Sequence, residues 1–129
     1  YRMSLHKEGT ATPAILEELD GQTDYDLLLN CTSVGMYPND GASPVPDYVI
    51  ARCHAVFDAV YNPHTTRLLQ LAEERGIRTV HGMDMLVWQA AVAHKHWFGH
   101  TFTPDEINGV IEAAVEEMAR RFEKKGANA

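Results

Sequence analysis

Met85 and Gln89 stand four residues apart in the run Gly82-Met83-Asp84-Met85-Leu86-Val87-Trp88-Gln89-Ala90-Ala91, which reads as the start of a helix. Side chains four apart share one helix face, one turn from each other. A polarizable thioether can lie against a flat ring. A side-chain amide one turn further on can both donate to and accept from a sugar-like hydroxyl. The pair suits a site where a flat ring meets a polyhydroxylated acid. The same spacing also fits an ordinary amphipathic helix, with Met85 inside and Gln89 in water. Tyr61 follows a strand-like segment, Ala55-Val56-Phe57, at its carboxyl end and offers a phenol on a rigid arm, or simply a ring packed over the strand end. Gly82 stands between a strand and a helix, where only glycine lets backbone approach a ring closely, though a plain turn uses glycine too. Asn30-Cys31-Thr32-Ser33-Val34-Gly35 puts two hydroxyls and a glycine at another strand end, enough to line a nucleotide or to make a turn. All three blocks fall where a buried strand gives way to polar residues. In an open α/β sheet that edge is where ligands bind.

Other chemistries find less support. His96 and His100 are four apart, but Gly99 is expected to end the helix between them, and no carboxylate or cysteine completes a metal set. No Gly-x-Ser-x-Gly elbow is present. With 18 acidic and 11 basic side chains the formal charge is -7, which argues against a nucleic-acid surface. The only basic clusters, Arg120-Arg121 and Lys124-Lys125, fall at a helix end, where cations suit the dipole. No apolar run approaches a membrane span. Cys31 and Cys53 match no metal or redox spacing and read as two buried, reduced thiols of a cytoplasmic protein.

The elements that must position these residues can be read from the patterning. Thr12-Pro13 has the form of a helix start, with Ile15, Leu16 and Leu19 as its apolar face and Gly21 as its stop. Asp26 to Asn30 is an apolar run too short for a helix, as expected of a parallel strand covered on both faces. Tyr37 to Pro46 holds three prolines and a glycine and reads as a loop. Ala55 to Phe57 is a second strand and Thr79-Val80 a third. Between them Thr65-Thr66 can cap a helix carrying Leu68, Leu69 and Ala72, with Arg75 in its last turn and Gly76 as its stop. A helix then runs from about Asp84 to Phe98. Thr103-Pro104-Asp105-Glu106 is a capping box. Behind it Ile107, Val110, Ile111, Ala114, Val115, Met118 and Phe122 form a stripe that needs a partner surface. Alternating strand and helix imply a parallel sheet with crossover helices. The expected fold is α/β: half of a doubly wound, Rossmann-type parallel sheet, with closing C-terminal helices. A length of 129 residues suffices for one domain with a core. The chain opens on Tyr1 and reads as a fragment.

The strand-end blocks, with Tyr61-Asn62-Pro63 and Met85-Leu86-Val87-x-Gln89-Ala90-Ala91 in this order and spacing, closely resemble the C-terminal half of shikimate dehydrogenases. The resemblance covers roughly Asp24 to Gly99. It implies that residues 1–99 are the C-terminal half of a dinucleotide-binding domain and 100–129 an amphipathic helix packing on the rest of the enzyme. It implies NADP as cofactor, with NAD the alternative, and shikimate and 3-dehydroshikimate as substrates. Thr32, Ser33, the Ala59 backbone, Gly82 and Met85 would border the cofactor, and Tyr61 and Gln89 would contact substrate. The family's catalytic lysine–aspartate pair and glycine-rich phosphate turn lie earlier in its chain, so no catalytic residue is expected here, and the missing N-terminal half is the expected partner. A homodimer is among the assemblies the resemblance admits. Asp84 stands where many members have glycine and suits a helix N-cap. His94 occupies a position that is usually aromatic and apolar. Alternatives within the fold are a quinate/shikimate or aminoshikimate dehydrogenase; outside catalysis, the alternative is a binding module derived from it.

Overall fold

In the computed structural model of the chain, the backbone is described for residues 2–7, 10–15, 19 and 21–126, and side chains for residues 19 and 21–122. Strands β3 (Tyr25–Asn30), β4 (Cys53–Asp58) and β5 (Arg78–Val80) form a parallel sheet in that order. The register sets Leu28 beside Val56, and Val56 beside Thr79. The short helix α1 (Asp47–Ile50) and helix α2 (Arg67–Glu73) are the two crossovers. Both cover one face of the sheet. There Leu28 and Val56 meet Val49, Ile50, Leu68, Leu69 and Ala72 in a single buried cluster. Successive strand side chains point to opposite faces. Leu27 and Leu29 accordingly point away from this core, and they are 52% and 56% exposed. Of the two covered faces expected for this strand, one is packed by α1 and α2, and the other is left half-exposed among the described residues.

Helix boundaries follow the local chemistry. The Thr66 hydroxyl accepts from Leu69 N–H at 3.4 Å and starts α2. Beyond the helix end, Gly76 takes a left-handed φ of 69° that an L side chain resists. Helix α3 spans Gly82–Phe98 and ends at Gly99, φ 74°. It starts two residues before the expected Asp84. Asp84 is not its N-cap but lies in the first turn, where its carboxylate accepts the His81 N–H at 3.3 Å. Helix α4 spans Pro104–Gly126. Its capping box is present: Thr103 N–H donates to Glu106 Oε2 at 2.8 Å, and Glu106 N–H to Thr103 Oγ1 at 3.3 Å. The Thr103 N–H, and then the Thr103 hydroxyl at 3.1 Å from the same oxygen, hold the exposed Glu106 carboxyl below its ordinary range.

The N-terminal expectation fails. Residues Arg2–Lys7 and Thr10–Ile15 are strands β1 and β2, paired antiparallel, with Pro13 opposite Ser4. Thr12-Pro13 is thus inside a strand, not at a helix start. A two-stranded ribbon has only edges, so a proline without an N–H is tolerated there. Leu16, also assigned to that helix, lies outside the described residues. The cysteine expectation is corrected in part. Cys53 is buried, which pushes its thiol pKa up, but Cys31 is exposed.

Candidate functional site

The site is built from the strand ends. Asn30 closes β3 and Asp58 closes β4, and the register places them side by side. Both are buried, Asp58 completely. Asn30 Nδ2 donates to Asp58 Oδ1 at 2.9 Å, Val60 N–H donates to the same oxygen at 3.0 Å, and the Thr66 hydroxyl donates to Oδ2 at 2.6 Å. Asn30 Oδ1 in turn accepts from Thr32 N–H at 3.0 Å and from the Thr32 hydroxyl at 2.8 Å. Thr32 Oγ1 then receives Val34 N–H at 3.2 Å. Ala59 N–H donates to Asn30 O at 2.9 Å. Bonds to a carboxylate in a dry interior are strong, and leaving one unmade is costly. This network fixes the direction of both chain exits, Cys31 to Ser33 and Ala59 to Asn62, and ties them to the start of α2.

The two exits line one open cleft of about 600 Å³, with Cys31, Thr32, Ser33, Ala59 and Tyr61 on its strand side. Tyr61 is 44% exposed. The other wall is not from the sheet: Met36 and Tyr37 come from the following loop, and Met118 and Phe122 from α4. The rings of Tyr37 and Phe122 meet at 5.2 Å. Of the residues singled out from sequence, Thr32, Ser33, Ala59 and Tyr61 are therefore brought together. Thr32 spends its hydroxyl on the turn, whereas Ser33 is exposed.

Gly82, Met85 and Gln89 stand on α3 and do not line this cleft. Gly82 is buried against the β4 exit. A Cβ there would lie 2.5 Å from Val60 O and 2.6 Å from Ala59 O. The glycine is thus required by the protein's own backbone, whatever ring a ligand brings. One turn on, Met85 is 37% exposed, and Gln89 is exposed too. Both lie on the surface of α3, beyond the point where its first residue touches Ala59 and Val60. His94, further along α3, packs among rings: Phe98 at 4.7 Å, Phe102 at 5.0 Å and His100 at 5.9 Å. An imidazole there packs as an aromatic ring would. Among the described residues no group of three or more His, Cys, Asp or Glu side chains converges as a metal site, and no helix is long and apolar enough to cross a membrane.

The sequence reading missed Asn30, Asp58 and Thr66 as a unit, and the Tyr37–Phe122 wall. A carboxylate at the end of an apolar strand was the visible signal for the first. The second carries no local signal, since its rings are distant in sequence.

Comparison with known proteins shows what the chain is similar to. Shikimate dehydrogenase (NADP(+)) from Caldanaerobacter subterraneus subsp. tengcongensis is 41% identical over 92 residues, which are 71% of this chain and 33% of that protein. The chorismate mutase/shikimate 5-dehydrogenase fusion protein from Clostridium acetobutylicum matches in structure with a TM-score of 0.66 and 36% identity, over 73% of this chain and 35% of that one. The chain is homologous to the C-terminal region of shikimate dehydrogenases. Its three-stranded sheet and helices are part of their Rossmann-type α/β fold. The shikimate 5-dehydrogenase of Thermus thermophilus, in complex with NADP(H) and shikimate, matches with a TM-score of 0.60 and 35% identity, over 68% of this chain and 33% of that one. The chain spans about a third of the length of the curated relatives it matches. No protein-family model matches it.

Proposed function

We propose that the chain is the C-terminal part of a cytoplasmic, NADP-dependent shikimate dehydrogenase, which interconverts 3-dehydroshikimate and shikimate. Residues 1–99 supply the second half of the dinucleotide-binding unit, and 100–129 the helix that closes on the remainder of the enzyme. The observation that carries this reading is the cleft at the carboxyl edge of the parallel sheet. Its strand side is formed by the two exits that the Asn30–Asp58 network holds in place. The residues present fit a dinucleotide. Ser33 offers an exposed hydroxyl, and the Ala59 backbone lines the same cleft.

When bound, the cofactor supplies the hydride; the chain's task is to position and enclose. Thr32 and Ser33 flank the nucleotide. Ala59 and Gly82 set the distance between the β4 exit and α3, where Met85 offers its thioether to the nicotinamide side. Tyr61 and Gln89 offer hydrogen bonds to the hydroxyls or carboxylate of the substrate. Catalytic proton transfer falls to residues outside this chain. The exposed apolar side chains on the second sheet face, Leu27 and Leu29, support a partner in the missing two thirds of the enzyme.

The test is kinetic, on the chain joined to that remainder. Gln89→Ala and Tyr61→Phe should each lower kcat/KM for shikimate about tenfold, the loss of one hydrogen bond of ~1–2 kcal/mol, and leave the KM for NADP nearly unchanged. Unchanged shikimate kinetics in both variants would remove the substrate assignment.

A further inference from the structure

The structure holds a histidine pair that the proposed chemistry does not use. His64, on the loop between β4 and α2, stacks on His81, the residue before α3, with ring centroids 4.4 Å apart and planes 12° from parallel. His64 Nδ1 is buried and makes no hydrogen bond. His81 reaches the other way: its Nε2 lies 3.4 Å from Glu73 Oε1 on α2, and its backbone N–H donates to Asp84 on α3. The same Glu73 oxygen receives the Thr79 hydroxyl from β5 at 3.1 Å. The pair therefore sits where the β4 exit, α2, β5 and α3 meet. The next residue is Gly82, whose backbone touches Val60 and Ala59.

We propose that the His64–His81 stack is a pH-sensitive clamp on the start of α3, with His64 acting as a positioning residue for Met85 and Gln89. This deepens the function proposed above, because α3 carries two of its site residues.

The physical argument begins with the stack. Two flat, neutral rings pack well face to face; two imidazolium rings at that distance repel. A proton on His64 would also add charge to a half-buried ring whose Nδ1 has no acceptor. Burial first, and then the His81 charge, hold the His64 pKa below its ordinary value, while Asp84 and Glu73 act in the opposite direction. The sign follows from linkage. A histidine depressed in the folded state contributes stability that is fully present above its ordinary value of about 6.5. That contribution is lost as pH falls through the lower, folded value. The contact it supports is the one between His81 and the β4–α2 loop, so the loss falls on the first turn of α3. The hydrophobic cluster under α2 contains no histidine and has no reason to respond.

Hydrogen exchange read by mass spectrometry tests this on the 129-residue chain and tolerates self-association. Exchange at the imidazole C2 position reports the titration of each histidine. Amide exchange, corrected for its intrinsic pH dependence, reports the protection of α3. Between about pH 7.5 and about pH 5.5, protection over Met83 to Val87 should fall, the loss setting in below the ordinary histidine value of about 6.5 and completing as His64 titrates, while Leu68 to Ala72 keep theirs. His64→Phe retains a flat ring and removes the proton site, so it should hold α3 protection at the lower pH. Three outcomes overturn the proposal: protection of α3 that does not change with pH, a change that α2 shares equally, or the same pH dependence in His64→Phe. If that variant does not fold, the wild-type comparison of His64 titration with α3 protection still decides. A failure here leaves the kinetic test of Tyr61 and Gln89 untouched, so the clamp and the function can fail separately.

Discussion

Gly82→Ala and Gly109→Ala are the same chemical change at two helix positions, and they should move stability in opposite directions. At Gly109, inside α4, an added Cβ meets nothing within 4 Å. Alanine there should stabilise by about 0.5–1 kcal/mol, from helix propensity and a less flexible unfolded chain. At Gly82 the Cβ falls 2.5, 2.6 and 2.7 Å from Val60 O, Ala59 O and Val60 C. All three are backbone atoms, so no rotamer change relieves them. Reaching even a close carbon–oxygen contact of ~3.3 Å requires the start of α3 to move about 0.8 Å from the β4 exit. Overpacking of this kind costs about 1–3 kcal/mol, more than the propensity gain returns at a first helical residue. The displacement is carried along α3 to Met85 and Gln89. Misplacing reacting partners by about 1 Å can cost ~100-fold in rate. The assay has two arms. Hydrogen exchange should show loss of protection at the first turn of α3 in Gly82→Ala and a gain along α4 in Gly109→Ala. In the chain joined to the rest of the enzyme, Gly82→Ala should lose most turnover, and Gly109→Ala should keep it. If Gly82→Ala is as protected and as active as the parent, the close approach of α3 to the β4 exit is not needed for the site, and this reasoning is wrong.

Other expectations follow from the same geometry. Asp58→Ala strips the acceptor from Asn30, Val60 and Thr66 at once, so it should cost about 3–5 kcal/mol and prevent stable folding; a variant with near-normal exchange protection over β4 and α2 would show the network to be dispensable. Met85→Ala should lower turnover and raise the KM for NADP in the joined enzyme with little change in the shikimate KM, unlike Gln89→Ala; identical kinetic signatures for the two would argue against their separate placement. The 129-residue chain on its own should be inert toward shikimate and NADP and should self-associate through its exposed Leu27, Leu29, Trp88 and Val92; turnover by the chain alone, or a strictly monomeric sample in sedimentation, would contradict this.

Much of the fold was legible because it rests on local rules. Apolar runs at Leu27 to Leu29 and Val56-Phe57, too short for helices and bounded by polar residues, read as strands. Thr66, Gly76, Gly99 and the Thr103–Glu106 box mark helix ends through backbone needs that no distant residue alters. The same economy placed Thr32, Ser33, Ala59 and Tyr61 at strand ends, and parallel strands bring their carboxyl ends to one edge. Tertiary structure decided the rest. Pairing between Arg2–Lys7 and Thr10–Ile15 turned an apparent helix start into a strand, because a ladder of backbone bonds outweighs a capping preference. Asn30 and Asp58 are 28 residues apart, and only the register of β3 on β4 makes them one buried unit. Gly82 reads as a turn until α3 is seen against Val60. The wall of Tyr37 and Phe122, and the stack of His64 on His81, join residues whose sequence separation carries no period. Periodicity and capping act over a few residues, so a sequence displays them directly. Contacts between elements depend on how whole faces meet, and they exist only once the chain has folded.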